Sequence, residues 1–188
     1  MDLTTSVTIA VSVLLAVVGY VATYAYNLKL AQRKDRLDRV NAQLSDFYGP
    51  LLALVSAGES SFGAFRQKHR PDKPWIFERG ETPSEQKSAA WRLWMVEVFM
   101  PLNVAIVDVI TKHADLLDES DMPQPLLDAC AHVAAYRAVI KQWEQGDFSE
   151  LGSVINFPSP DLFLFASEGF TRLKGEQQRL LGQKGRPR

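Results

Sequence analysis

Residues 6–28 read SVTIAVSVLLAVVGYVATYAYNL, and no side chain between Asp2 and Lys29 is charged at neutral pH. At a rise of about 1.5 Å per residue, a helix of this length reaches across a hydrocarbon core of about 30 Å. The Ser, Thr and Gly residues within it are compatible with lipid, because a helix satisfies its own backbone groups. A cleaved leader is the competing reading. The opening MDLTTS has no Lys or Arg, the apolar run is longer than a leader's core, and Tyr24 and Tyr26 crowd the only AxA-like stretch. The stretch therefore predicts an uncleaved anchor over residues 1–28.

The chain has 188 residues, 21 Lys and Arg, 22 Asp and Glu, and 46% hydrophobic residues. That figure averages two solvents, because 19 of the first 28 residues are hydrophobic. The remaining 160 residues carry 21 basic and 21 acidic groups, which suits one charge-balanced domain with its own core. This balance excludes a strongly basic nucleic-acid binder and an acidic disordered chain. The lone Cys130 excludes an intramolecular disulfide framework and a cysteine-built zinc site.

Lys29, Arg33, Lys34, Arg36 and Arg39 follow the apolar run, against only Asp35 and Asp38. The positive-inside rule then predicts an outside amino terminus and a cytoplasmic remainder. Those five basic side chains are candidates for anionic lipid headgroups, each contributing about 1 kcal/mol near the surface. Tyr20, Tyr24 and Tyr26 fall at the same end, where amphipathic rings sit well.

With Ile9 at position a, a heptad runs through the membrane boundary. Within the apolar stretch it places the small residues Ser12, Ala16, Gly19 and Thr23 on one face, which allows close helix approach in lipid. Beyond the boundary it places Leu30, Leu37, Val40 and Leu44, as a coiled-coil seam requires. The seam fits a homodimer or contact with other membrane-protein subunits. It also fits packing onto the chain's own later helices, and Arg33 at a d position and Tyr26 at another favour that second reading.

Pro50 lacks the N–H that would bond to Asp46, so Gly49-Pro50 predicts a kink or restart in this long helix. The juxtamembrane helix is accordingly assigned to residues 29–48 and a cytosolic helical bundle to 49–182. Thr82-Pro83-Ser84-Glu85 predicts a capped start for a helix carrying Trp91, Trp94, Met95, Val98, Leu102, Ile106, Val109, His113, Leu116 and Leu117 on one stripe, bent at Pro101. A further helix over residues 126–145 ends at Gly146, and Ser159-Pro160-Asp161 opens a last one reaching about Leu181. Residues 183–188 are expected to form a disordered basic tail. The fold class is all-α: a transmembrane helix followed by a bundle of about four helices.

Chemistry-bearing motifs are sparse. No GxSxG, P-loop, GxGxxG or HExxH occurs. Asp128 and His132 lie four apart on one helix, and His113 on the preceding one can be imagined converging on them as a metal or acid–base site. An interhelical structural hydrogen bond is the commoner use of such a pair. Cys130, among alanines, reads as a small core residue, and Arg137 as a partner for a carboxylate on a neighbouring helix. Trp75, Ile76 and Phe77 lie between prolines, either as a contact patch or folded over the bundle end.

QLSDFYGPLLAL (43–54), WRLWMVEVFMPLN (91–103) and LLDACAHVAAYRAVIKQWEQGDFSE (126–150) followed by INFP (155–158) resemble a family of bacterial single-pass, membrane-anchored helical proteins with no assigned function. The resemblance covers most of residues 43–158. It implies a bacterial inner-membrane location, and it carries over no activity, catalytic residue or cofactor.

The leading expectation is a non-enzymatic interaction or assembly protein, working through the span and juxtamembrane helix, touching membrane lipid and using no cofactor and no nucleic acid. One alternative is a metal-dependent enzyme or effector built on His113, Asp128 and His132. Another is a membrane-linked sensor or effector in stress or phage defence, signalling across Gly49-Pro50.

Overall fold

The computed structural model describes residues 2–71 and 83–182, apart from the side chains of Leu3 and residues 5–10. The expectations for Trp75, Ile76, Phe77, Thr82 and the tail 183–188 lie outside these residues. Among the described residues the fold is all-helical, with no strand. Helix α1 (Leu3–Ala42), a π turn (Gln43–Tyr48) and α2 (Gly49–His69) form one unbroken helix. Helix α3 (Glu85–Trp94) joins α4 (Met100–Lys112) through a second π turn (Met95–Phe99). Helices α5 (Gln124–Glu144) and α6 (Ser159–Leu180) complete the chain.

Of the kink or restart expected at Gly49-Pro50, no restart occurs, because the first π turn carries the helix through. Widening the turn takes up the residue whose N–H is missing, and the Gly49 N–H bonds to the Leu44 carbonyl, five residues back. A Cβ on Gly49 would lie 2.4 Å from that oxygen, so the turn needs glycine there. The second π turn repeats the arrangement ahead of Pro101, with the Met100 N–H on the Met95 carbonyl.

Three expected boundaries also shift. Helix α4 ends at Lys112, and Ala114–Leu116 form a single 3₁₀ turn, so His113, Leu116 and Leu117 leave the α-helical stripe. Ser84 is the N-cap of α3, which puts Glu85 at the first helical position, too early to close a capping box. Ser159 is already helical, and its hydroxyl donates to Glu59 Oε1 at 2.9 Å instead of capping its own helix. Gly146, at φ +82°, follows α5 as expected.

Helix α2 packs between α4 and α6, and α5 closes the ring by packing on the same two. The apolar stripes of the four helices meet in two joined cores. Nearest α1 are Val40, Leu44, Phe47, Tyr48, Leu51, Ile106, Ile110, Leu126, Leu162 and Leu173. At the far end Phe65, Trp91, Trp94, Phe99, Tyr136 and Trp143 form an aromatic group, with Phe65 and Trp94 centroids 5.2 Å apart. Each fully buried large side chain contributes about 1.5–3 kcal/mol.

Two helical stretches, Val11–His69 and Glu85–Lys112, are long and apolar enough to cross a membrane. None of the apolar window of the first is buried, whereas 33% of the second is. The heptad seam divides at this point. Leu30 is 54% exposed and Leu37 half-buried, while Val40 and Leu44 are buried against the chain's own helices. Of the two readings of the seam, these last two positions take the intramolecular one, in a core that begins inside the 29–48 segment.

Candidate functional site

Helix α6 runs antiparallel to α1 and α2, so its last turn lies beside the basic segment of α1. Arg33 donates through Nε to the Leu180 carbonyl at 2.8 Å and through its other nitrogen to the same oxygen, which places a cation at the negative end of α6. One turn on, Arg36 forms a two-pronged pair with Glu176 at 2.7 and 3.0 Å. Hydrogen bonding to Glu176 raises the Arg36 pKa, and the same bond lowers that of Glu176. Arg39 reaches the Asp115 and Leu117 carbonyls at 3.4 Å. Three of the five basic residues expected at lipid headgroups thus bond to α6 and the 113–118 connection, although all five, Lys29 and Lys34 included, stay exposed. Arg33 at its d position is explained by the same ladder.

The next step along the helix is polar and buried. Gln43 donates through Nε2 to the Leu116 carbonyl at 2.7 Å and to Asp118 Oδ1 at 2.9 Å. Asp118 also accepts from Arg172 at 3.0 Å. Burial acts to raise the Asp118 pKa, but the bonds from Gln43 and Arg172 outweigh it and hold the carboxyl below its ordinary value. One carboxylate therefore ties together the first π turn, the connection after α4, and α6. Only a polar residue flanking Val40 and Leu44 in the heptad could have signalled this from sequence.

Beside that knot lies an open cleft of about 270 Å³ lined by Tyr48, Glu119, Phe165, Glu168, Gly169 and Arg172. A Cβ on Gly169 would come within 2.1 Å of the Tyr48 ring, so the glycine lets the ring lie flat against α6. Tyr48 is fully buried, with the Arg172 guanidinium close to its hydroxyl. Burial pushes this phenol up to about 12, with Glu119 adding to the shift and Arg172 opposing it.

The three metal candidates are not brought together. No group of three His, Cys, Asp or Glu side chains able to hold a metal occurs among the described residues. His113 ends up past the end of α4, and Asp128 accepts from Gln124 at 2.7 Å. His132 turns inward, its Nδ1 2.6 Å from the Ile155 carbonyl. A carbonyl only accepts, so the imidazole proton sits on Nδ1. Burial lowers the His132 pKa against the opposing effect of that bond, which keeps the ring neutral.

His132 belongs to a set of aromatic donors that fasten the 145–158 connection. Trp143 donates to the Glu150 carbonyl at 2.8 Å, and Trp91 and Tyr136 both donate to the Leu151 carbonyl, at 2.7 and 3.1 Å. These residues account structurally for the His-Tyr-Trp spacing of α5. Cys130 is half-buried, with its thiol pushed up by burial, and Arg137 is exposed and makes no ion pair among the described residues.

No family model, curated protein or solved structure matches this chain.

Proposed function

We propose that the chain is a single-pass protein of the bacterial inner membrane, amino terminus outside, that presents its helical bundle to the cytoplasm as an interaction or assembly module. The observation that carries this reading is the contrast along one helix. Residues 11–30 expose Val, Leu and Tyr side chains all round, and the same helix, without a break, becomes a core helix of the bundle. Such a surface is stable in lipid and unstable in water. The Glu85–Lys112 stretch is placed in the bundle because its stripe is already spent on α2 and α5.

Association runs through the span. Ser12, Ala16, Gly19 and Thr23 present a narrow face, with the Thr23 hydroxyl satisfied by the Gly19 carbonyl at 2.8 Å, and Leu30 prolongs it beyond the bilayer. Lys29 and Lys34 face the lipid headgroups. The resemblance to membrane-anchored bacterial proteins supports the location. In a Cys130→Ala background, single cysteines at Ala16 and Leu30 crosslink in native membranes, while one at Val40 does not. Absence of any crosslinked partner or dimer at both Ala16 and Leu30 removes the assembly role.

A further inference from the structure

The last fully buried residue of α6 is Leu173, yet the helix runs on to Leu180, back along α1 toward the apolar run. Over that extension polar bonds tie it to α1, from Arg36 to Glu176 and from Gln177 Nε2 to Asn41 Oδ1 at 2.7 Å. It stops at Gly182, at φ +73°, with Arg33 on the Leu180 carbonyl. Arg33 lies five residues past Leu28, where the apolar run ends, or about 7.5 Å along the helix axis. A headgroup layer adds about 5–7 Å to each side of the hydrocarbon core. The end of α6 therefore stands at the outer edge of the headgroups, given the membrane-spanning reading, on which the inference rests. At that level Gln178, Arg179 and Leu181 are exposed, Leu181 by 51%, and Arg179 forms no salt bridge among the described residues. Lys29, Arg33, Lys34 and Arg179 thus gather within about 10 Å of the apolar run, against Asp35 alone, since Glu176 is paired with Arg36.

We propose that the end of α6 is a second membrane contact, on an anionic lipid surface, with Arg179 bonded to lipid phosphates beside Lys29 and Lys34 and Leu181 set into the interface. An exposed apolar side chain among cations is the combination by which helices hold to anionic membranes. A bundle hung from α1 alone can swing about the end of the span. Held through α6 as well, it keeps one tilt and presents its far, aromatic end away from the membrane.

The test uses the full chain, with Cys130→Ala, in lipid nanodiscs, carrying one fluorophore on Gln178→Cys, Leu164→Cys or Val18→Cys. Phosphatidylcholine discs are compared with discs in which part of that lipid is replaced by phosphatidylglycerol, with nitroxide quenchers on the headgroup or the acyl chain. The headgroup quencher should reach Gln178, more strongly in the anionic discs, and spare Leu164, which lies about 21 Å farther along α6. Arg179→Gln should lower the ratio of quenched to unquenched lifetimes at Gln178 about fivefold in anionic discs, the effect of one basic residue near a surface. Leu181→Ala should lower it in both lipids. Both side chains are exposed, so the thermal midpoint should not move. Quenching of Val18 by the acyl-chain nitroxide with none at Gln178 would overturn the contact and leave the span standing. Equal quenching of Gln178 in both lipids, unmoved by either substitution, would overturn the contact as mere proximity. No quenching at Val18 would remove the span and the contact together.

Discussion

At the residue scale, two glycines are required by close approach. A methyl group at Gly169 would meet the ring of Tyr48, which is fully buried and has nowhere to move. Gly169→Ala should therefore destabilise the bundle by about 1–3 kcal/mol in chemical denaturation, as overpacking does. His132 supplies the pH dependence. In the unfolded chain its imidazole protonates below its ordinary value of 6.5, while the buried ring in the folded state resists protonation. The unfolded state binds more protons in that window, so stability is whole above about pH 6.5 and falls as the pH drops below it. His132→Gln should remove this component of the acid sensitivity, as read from unfolding midpoints across pH 5–7. The sequence made His132 legible as a candidate, with an interhelical hydrogen bond as its commoner use, whereas the structure turns it onto the connection after α5. Its partner, the Ile155 carbonyl, was not legible, because backbone carbonyls in an irregular connection leave no side-chain signature.

Among the elements, the prolines were legible as disturbances, Pro50 as a kink or restart and Pro101 as a bend, but not in the form that the disturbance takes. Periodicity shows where a helix wants to lie but not how a turn widens to admit a missing N–H, so the π turns before Pro50 and Pro101 were invisible. The helices themselves were legible from their apolar stripes, and the Gly146 stop from its position after α5. The side-chain network around Asp118 was not, since it joins residues 43, 118 and 172 from three elements. Its strength can be measured. Asp118→Asn should lower stability by about 1 kcal/mol, discounted because the side chain is 30% exposed, and Gln43→Leu should add little to it in a double-mutant cycle. The 145–158 connection responds differently. Trp143→Phe removes the bond to Glu150 while keeping most of the packing, so amide exchange should accelerate within residues 147–157 before it does in α5.

For the whole molecule, the architecture divides one long helix between two environments. Residues 11–30 find no apolar partner outside their own helix among the described residues, and from Val40 onward the helix is the core of a four-helix ring. The arginine ladder from Arg33 to Arg39 fastens the transition to α6, so a rotation of the apolar segment would be passed to the bundle through α6 as well as through the helix itself. The heptad alone could not say which part of the seam was intramolecular. That depended on how far α6 reached back along α1, a property of the packed bundle. The central claim is the membrane-spanning arrangement, and cysteine labelling in spheroplasts tests it most directly. In a Cys130→Ala background, Asp2→Cys should react with a membrane-impermeant maleimide in intact spheroplasts, and Asp161→Cys only after permeabilisation, with the protein retained in alkaline-washed membranes. Recovery in the soluble fraction, or labelling of Asp161→Cys without permeabilisation, would contradict the account.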